Sequence, residues 1–167
     1  MKKIYLAGPD VFFPDISERA VLHKQVCRDM GFEPLHPVDQ PVLQAPDIYR
    51  GNIEMLRMAD AVVANLNPFR GAEPDSGTAF EVGYAIALNK PVVGYIEKRT
   101  TVRAQVAATL GPLVYDEDLN VWRDTNNNQV EDFGLPVNLM LAVPCTLVVG
   151  DISDALRALR AHFEMPG

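Results

Sequence analysis

The sequence is poor in the residues that build disulfide scaffolds, metal centres and membrane spans. It has two cysteines and three histidines in 167 residues. Cys27 and Cys145 lie far apart with no cluster of histidines near either, so a disulfide scaffold, a zinc site and a thiol redox motif all lack support. Both cysteines are therefore predicted to be buried and structural. No stretch approaches the roughly 18 continuous apolar residues that a transmembrane helix needs.

Basic residues are also in the minority. Fifteen lysines and arginines stand against 22 aspartates and glutamates, which leaves a net charge of −7. This sign disfavours nucleic acid and anionic membranes as partners, because both bind a basic face. Small neutral molecules remain possible ligands. The first residues, MKKIYLAGPDVFF, break at Gly8-Pro9 after a short apolar run, which predicts the first strand of a cytoplasmic protein rather than a secretion signal.

The chain has enough apolar residues to form one full hydrophobic core. An apolar content of 48% predicts a single globular domain over residues 1–167. Short apolar runs alternate with segments of helical spacing, and the runs are continuously apolar, which favours a parallel sheet covered on both faces. The predicted fold class is therefore α/β, doubly wound. The predicted strands are 3–7, 32–36, 61–66, 91–96 and 145–149, and the predicted long helices are 15–30, 47–60 with Asp47 as its cap, 77–88, 102–110 and 152–163. Shorter predicted elements are a strand at 113–115, a hairpin-like tract that contains Asn126-Asn127-Asn128, and a helix at 136–142.

The ligand site is expected in two loops. In doubly wound sheets, ligands bind at the carboxyl ends of the strands, where the strand order reverses. The loops after the first and third strands, residues 8–14 and 67–76, are rich in Gly, Pro and Asp. Neither contains the Gly-x-Gly-x-x-Gly of dinucleotide sites or a Walker A sequence, so the sequence predicts no backbone cradle for phosphates.

The stretch PDSGTAFEVGYA, residues 74–85, places a carboxylate among small and apolar residues. Burying Glu81 there is costly unless it is paired or used. The nearby helix N-terminus is expected to keep it ionised. Asp75 precedes the same helix, and two carboxylates facing one pocket are the equipment for glycosyl transfer. The alternative that Asp75 simply caps the helix is equally compatible with its position.

Other polar and aromatic side chains are candidates for the same site. Tyr5 lies on the first strand, Phe12 in the loop after it, and Asn52 on the second helix. Each also has an ordinary structural explanation: Tyr5 and Phe12 could pack in the core, and Asn52 could lie on a solvated helix surface. The sequence leaves these alternatives open.

Four segments carry a specific resemblance: KIYLAGPDVF, NIEMLRMADAVVANLNPFRG, EPDSGTAFEVGYAIALNKPV and FGLPVNLML. Together they resemble the nucleoside 2-deoxyribosyltransferase family from Lys3 to about Leu141. The resemblance implies a flavodoxin-like doubly wound parallel sheet in three α/β/α layers. It also implies 2′-deoxynucleosides and free nucleobases as substrates, and no metal or organic cofactor.

The resemblance assigns roles to individual residues. Glu81 would be the nucleophile that holds a covalent 2-deoxyribosyl ester, Asp75 would contact the base and pass its proton, and Tyr5 would fix the orientation of the nucleophile. Asn138 would reach the sugar 5′-hydroxyl of a neighbouring subunit's substrate, and Met140 would line that pocket. A homo-oligomer with shared sites is therefore part of the prediction.

The remaining assignments concern the substrate-binding loops. Gln40, alone or together with Asp39, matches the family's base-contacting loop, while Gly8 and Phe12 belong to the loop after the first strand. Some family members carry an aspartate where this chain has Asn52. This chain therefore lacks that second acid, and Asp75 would carry more of the acid–base chemistry. Some also end in a tyrosine whose terminal carboxylate enters the site, whereas this sequence ends EMPG, which gives its C-terminus no catalytic role.

Two other functions remain as rivals. One is hydrolysis of deoxynucleoside 5′-monophosphates, but the loop AGPDVFFPD is acidic and has no arginine, and would repel a phosphate. The other is a catalytically silent nucleoside-binding module on the same scaffold, because a fold does not dictate a function.

Overall fold

A computed structural model describes residues 1–39 and 44–164. Short 3-10 helices span Pro9–Phe12 and Pro37–Asp39. None of the helices within these ranges is long and apolar enough to cross a membrane. The longer elements follow one another in the order β1 (Lys3–Ala7), α1 (Ile16–Asp29), β2 (Glu33–Leu35), α2 (Ala45–Met58), β3 (Ala61–Asn65), α3 (Ser76–Ala87), β4 (Val92–Ile96), α4 (Val102–Leu110), β5 (Val114–Asp116), β6 (Val121–Arg123), β7 (Gln129–Val130), α5 (Leu139–Ala142), β8 (Thr146–Val149) and α6 (Ile152–Glu164).

The central sheet has five parallel strands in the order β2-β1-β3-β4-β8. Its strand order reverses between β1 and β3, which is the flavodoxin-like arrangement. The continuously apolar strands explain the topology, because β1, β3 and β4 are buried along nearly their whole length. The predicted doubly wound α/β fold is confirmed.

Alternation along the strands divides the core into two halves. On β1, Ile4 and Leu6 face a layer made by α1 and α6, while Tyr5 and Ala7 face a layer that contains α2, α3 and α5. Tyr5 therefore points to the side of the sheet that carries Glu81 on α3. This one alternation decides which residues can meet in the site.

The beginning of α2 differs from the prediction. The sequence suggests Asp47 as the cap, whereas the helix begins at Ala45 and Gln44 holds the extended cap position. Pro46 explains the difference, because a proline in the first turn supplies the right φ and needs no amide bond there. Asp47 instead lies within the first turn and pairs with Arg50.

A second, antiparallel sheet of β5, β6 and β7 follows α4. Its last turn is set by Asp124, whose carboxylate accepts hydrogen bonds from the amides of Asn126 and Asn128 at 2.9 Å each. The hairpin suggested by the asparagine-rich tract is thus present. Trp122 of β6 packs against Arg103 of α4, at 4.9 Å from guanidinium to ring centroid, which joins this sheet to the helix before it.

We expect the Leu159→Ala substitution to lower the free energy of unfolding by about 3 kcal/mol, within the 2–5 kcal/mol typical of buried leucines. Leu159 of α6 is 0% exposed in the core half that faces α1, so truncation leaves a cavity. Urea unfolding followed by circular dichroism measures the loss. Leu22→Ala on α1, where the side chain is 60% exposed, is the matched control and should change stability little. Equal losses in the two variants would contradict this placement of α6.

Candidate active site

A cavity of about 480 Å³ opens at the carboxyl edge of the sheet. It lies where the strand order reverses, between the loops that follow β1 and β3, as predicted. Among the described residues, four parts of the chain supply its wall: the β1 loop, the β2 loop, α2 and the beginning of α3. The lining residues are Gly8, Val11, Phe12, Pro37, Val38, Ile48, Asn52, Asp75, Gly77, Thr78 and Glu81.

Glu81 presents its carboxylate to this cavity from the second turn of α3. The Tyr5 hydroxyl donates a hydrogen bond to Glu81 Oε1 at 2.6 Å, and the Asn52 amide nitrogen lies 3.5 Å from the same oxygen. Both donors approach Oε1, so Oε2 is the oxygen that neither of them engages. The structure thus brings Tyr5, Asn52 and Glu81 together from three separate elements.

The protonation of Glu81 departs from the sequence-based prediction. Burial raises the pKa of Glu81 to about 7; the Tyr5 hydrogen bond lowers it and the negative charge of Asp75 raises it further. The sequence predicts that the helix N-terminus keeps Glu81 ionised. With a pKa of about 7, Glu81 is only partly ionised at neutral pH, so this prediction is wrong there. Loss of hydration outweighs the helix dipole, because that dipole acts within the first turn and Glu81 lies in the second. Near pH 7 the carboxyl group is divided between its two states.

Tyr5 is built to remain a donor. Its side chain is 0% exposed on the interior strand β1, and burial, followed by the charge and hydrogen bond of Glu81, raises the pKa of its hydroxyl. The phenol therefore remains a donor to Glu81 when that carboxyl group ionises. Tyr5 is therefore both a core residue and a partner of the candidate nucleophile, so the two alternatives for it are compatible.

Asp75, like Tyr5, combines a structural role with a place at the cavity. It caps α3, where Oδ2 accepts hydrogen bonds from the Thr78 amide at 2.9 Å and the Thr78 hydroxyl at 3.2 Å. It also lines the cavity that contains Glu81. Gly77 keeps the cap close, because a Cβ there would lie 3.0 Å from Asp75 Oδ2. The capping interpretation is confirmed, and it leaves the carboxylate facing the cavity.

Gly8 is required by close packing behind the β1 loop. A Cβ at this position would lie 2.6 Å from Asp10 Oδ2 and 2.9 Å from the Cβ of Asn65. Both neighbours are buried, so neither could move aside easily. The loop then presents Phe12 to the cavity with 53% of the side chain exposed.

The base-contacting loop is described in part. Asp39 lies at the end of a 3-10 helix, and its carboxylate pairs with Lys24 at 2.5 Å rather than lining the cavity. Its neighbours Pro37 and Val38 do line it. Gln40 lies outside the described residues, so its role stays a prediction.

Asn138 and Met140 are separate from this cavity. Asn138 caps α5 by accepting a hydrogen bond from the Met140 amide at 2.9 Å, and it donates one to Glu131 at 2.9 Å. The Met140 side chain is 72% exposed. Neither residue lines the wall that holds Glu81 in its own chain, and the contact with a neighbouring subunit's substrate stays a prediction.

Sequence reasoning did not name six of the cavity residues: Val11, Pro37, Val38, Ile48, Gly77 and Thr78. Val38 and Thr78 carried no signal beyond their neighbours, and Ile48 followed the helical repeat of core residues although its side chain is 42% exposed at the cavity. Its position in the first turn of α2, ahead of the part of that helix that packs on the sheet, was the available signal. Among the described residues, no group of three or more histidine, cysteine or acidic side chains could hold a metal ion.

We expect Tyr5→Phe to raise the pKa of Glu81 above about 7, because the substitution removes the hydrogen bond that favours the ionised form. Carbon-13 NMR titration of labelled glutamate side chains measures the pKa, and Glu81→Gln assigns the signal. Tyr95→Phe is the matched control, since Tyr95 is a buried tyrosine on β4 that faces the other core half. An unchanged pKa in Tyr5→Phe, or an equal shift in both variants, would contradict the assigned contact.

Comparison with known proteins finds chains with a similar fold. The chain is similar to a 2-desoxiribosyltransferase from Leishmania mexicana, with 34% identity, a TM-score of 0.79, and coverage of 97% of this chain and 99% of that chain. It shares its fold with a 2-deoxyribosyltransferase from Bacillus psychrosaccharolyticus, at 24% identity and a TM-score of 0.50, over 81% of this chain and 96% of that one.

A curated relative and a family model complete the comparison. An uncharacterized protein of Schizosaccharomyces pombe is 31% identical over 55% of this chain and 48% of its own length, so the match spans about half of that relative. The family model for nucleoside 2-deoxyribosyltransferase matches residues 4–140, which include β1, α2, α3 and the beginning of α5. The chain belongs to the nucleoside 2-deoxyribosyltransferase family.

Proposed function

We propose that the protein transfers the 2-deoxyribosyl group between a 2′-deoxynucleoside and a free purine or pyrimidine base. The observation that carries the proposal is the Glu81 carboxylate, held through Oε1 by Tyr5 at 2.6 Å at the wall of the cavity. Membership of the family and the similarity to the Leishmania mexicana enzyme support it.

The reaction is a double displacement. In the first half, Oε2 of ionised Glu81 attacks the anomeric carbon, the bond from that carbon to the base nitrogen breaks with its electron pair going to the base, and the leaving base takes up a solvent proton that Asp75 relays. In the second half, the incoming base gives a proton to Asp75, its nitrogen attacks the same carbon, and the ester bond to Glu81 breaks. The carboxylate is regenerated, and ping-pong kinetics follow.

The environment of the pair suits these steps. A carboxylate with restricted hydration is a better nucleophile, and Tyr5 fixes its direction while leaving Oε2 available. Asp75 is anchored at the beginning of a helix by Thr78, so the two acids keep a fixed separation. A sugar without a 2′-hydroxyl forms the oxocarbenium-like transition state more easily, which favours deoxynucleosides. Water can replace the second base, so slow hydrolysis accompanies transfer.

The experiment that tests the function is base exchange. The protein is incubated with 2′-deoxyinosine plus adenine, and separately with thymidine plus adenine, with a ribonucleoside donor as control, and products are followed by chromatography. Deoxyadenosine from either deoxynucleoside supports the transferase. Free base without exchange would replace it with an N-glycosidase, and no reaction with any donor would favour a silent binding module.

We expect Glu81→Gln to lower the exchange rate by roughly three orders of magnitude or more, because an amide cannot form the ester. Glu54→Gln, an exposed glutamate on α2, is the matched control and should retain wild-type exchange. In the wild type, the rate should rise with pH through about 7, as Glu81 ionises. Near-normal exchange by Glu81→Gln would refute the assigned nucleophile.

Stability provides the folding control for this variant. The folded-state pKa of Glu81 exceeds the ordinary glutamate value of 4.5, so its contribution to the free energy of unfolding is lost as pH rises through about 7. This difference corresponds to at most about 3 kcal/mol. The free energy of unfolding of Glu81→Gln, measured relative to that of the wild type, should therefore be greater at pH 8 than at pH 5. A variant destabilised at both values would instead point to a folding defect.

The proposal includes a neighbouring subunit. Asn138 and Met140 lie outside the Glu81 cavity of their own chain, so their predicted contact with the substrate requires a second copy. The surface around them is apolar and accessible: Phe133, Met140 and Val143 are 68%, 72% and 74% exposed. Such a patch is typical of an interface.

We expect Asn138→Ser to raise the KM for a 2′-deoxynucleoside roughly tenfold, since serine keeps a capping oxygen for α5 but cannot supply the amide to the 5′-hydroxyl. A donor that lacks the 5′-hydroxyl is the matched substrate, and the variant and the wild type should handle it alike. Light scattering establishes that both remain oligomeric. An unchanged KM with the ordinary donor would contradict the shared site.

A further inference from the structure

The loop after β3 packs against the loop after β1 beside the cavity. Phe69 lies alongside Phe12, with ring centroids 5.6 Å apart and planes inclined by 19°. It also meets Phe13 edge-on at 6.0 Å. Phe12 lines the cavity with much of its ring exposed, so Phe69 supports a residue that faces the ligand space.

Arg70 covers both rings. Its guanidinium lies 4.7 Å from the Phe12 centroid and 4.6 Å from the Phe69 centroid, which is cation–π distance for each. Neither ring is charged, and the planar guanidinium can lie flat on aromatic faces, which a lysine ammonium cannot do. Arg70 therefore holds Phe12 and Phe69 as one unit.

The backbone at Arg70 adds a second observation. Its φ is +55°, in the left-handed region. The other non-glycine residues of the described ranges with positive φ are asparagines, which tolerate this region well: Asn89, Asn120 and Asn127. An arginine there is unusual, and such conformations persist where the surrounding structure requires them. In this conformation the Arg70 guanidinium lies on the two rings.

The underside of the Phe12 loop is also fixed. Asn65 at the end of β3 donates to the buried Asp10 carboxylate at 3.2 Å. Asn67 then donates its side-chain amide to Asn65 Oδ1 at 2.8 Å and accepts a hydrogen bond from the Glu97 amide at 2.7 Å. These bonds join the carboxyl ends of three neighbouring strands. The loop that carries Phe12 is thus fixed by these polar contacts, and the Phe12 ring itself is contacted by Phe69 and Arg70.

We propose that Phe69 and Arg70 are positioning residues that set the base preference of the cavity by holding Phe12 as a rigid stacking wall. The inference rests on the proposed function, because it takes the base as the group that meets Phe12. A base stacks on an aromatic side chain through its π face, and the two-ring purines have a larger face than pyrimidines. A fixed wall therefore favours purines over pyrimidines, and a loosened wall loses that preference.

Binding of free bases tests the inference without requiring turnover. Isothermal titration calorimetry measures the affinities of adenine and cytosine for wild type, Phe12→Leu, Phe69→Leu and Arg70→Asn. Asparagine accommodates the left-handed backbone, so Arg70→Asn removes the guanidinium while the loop conformation is kept. We expect adenine affinity to fall roughly tenfold in each variant and cytosine affinity to change less. Arg70→Lys should recover part of the loss at most.

Two further readouts separate positioning from general instability. The exposed Arg28 lies in the last turn of α1, and Arg28→Ala should bind both bases as the wild type does. In exchange assays, Arg70→Asn should raise the KM for adenine while kcat changes little. Wild-type adenine affinity in Arg70→Asn and Phe69→Leu would overturn the inference, as would a wild type that binds neither base. Selective loss of adenine binding in a protein that exchanges no base would sustain the wall but refute the transferase.

Discussion

The hydrogen bond from Tyr5 to Glu81 is the interaction on which the rest of the site depends. It joins an interior strand of the sheet to the second turn of α3 at 2.6 Å, in a place where a carboxylate would otherwise be too costly to bury. The bond limits that cost and fixes one oxygen of the carboxylate. It requires α3 to pack on the face of β1 that carries Tyr5, so the layer arrangement of the fold and the direction of the Glu81 carboxylate are one constraint.

Several site residues also perform structural work, which explains why their roles were hard to separate. Asp75 begins α3 and faces the cavity, Tyr5 fills the core and donates to Glu81, and Gly8 permits the packing behind the β1 loop. In each case the structural role fixes the position from which the chemical role is possible. A site assembled this way needs few residues of its own beyond those that the fold already orders.

The sequence predicted the layers well because apolar periodicity records burial directly. The strands β1, β3 and β4 and the helix α4 lie where the pattern places them, and the two loops at the reversal of strand order hold the cavity. It could not predict the raised pKa of Glu81, because that depends on how completely three elements exclude water around one group. Nor could spacing show that Asp39 turns to Lys24, since the partner comes from a different helix.

The interior location of β1 has a consequence for the motions open to the protein. Interior strands of a sheet are among the last parts to open, and they exchange their amides through unfolding of the whole domain. Tyr5 lies on such a strand, between β2 and β3, with no exposed surface. The residue that supports the Glu81 carboxylate is therefore held by a stable part of the fold, and adjustment to a ligand is left to the loops that follow β1 and β3. Any core change that lowers the folded fraction lowers the fraction of molecules with a correctly held carboxylate by the same factor.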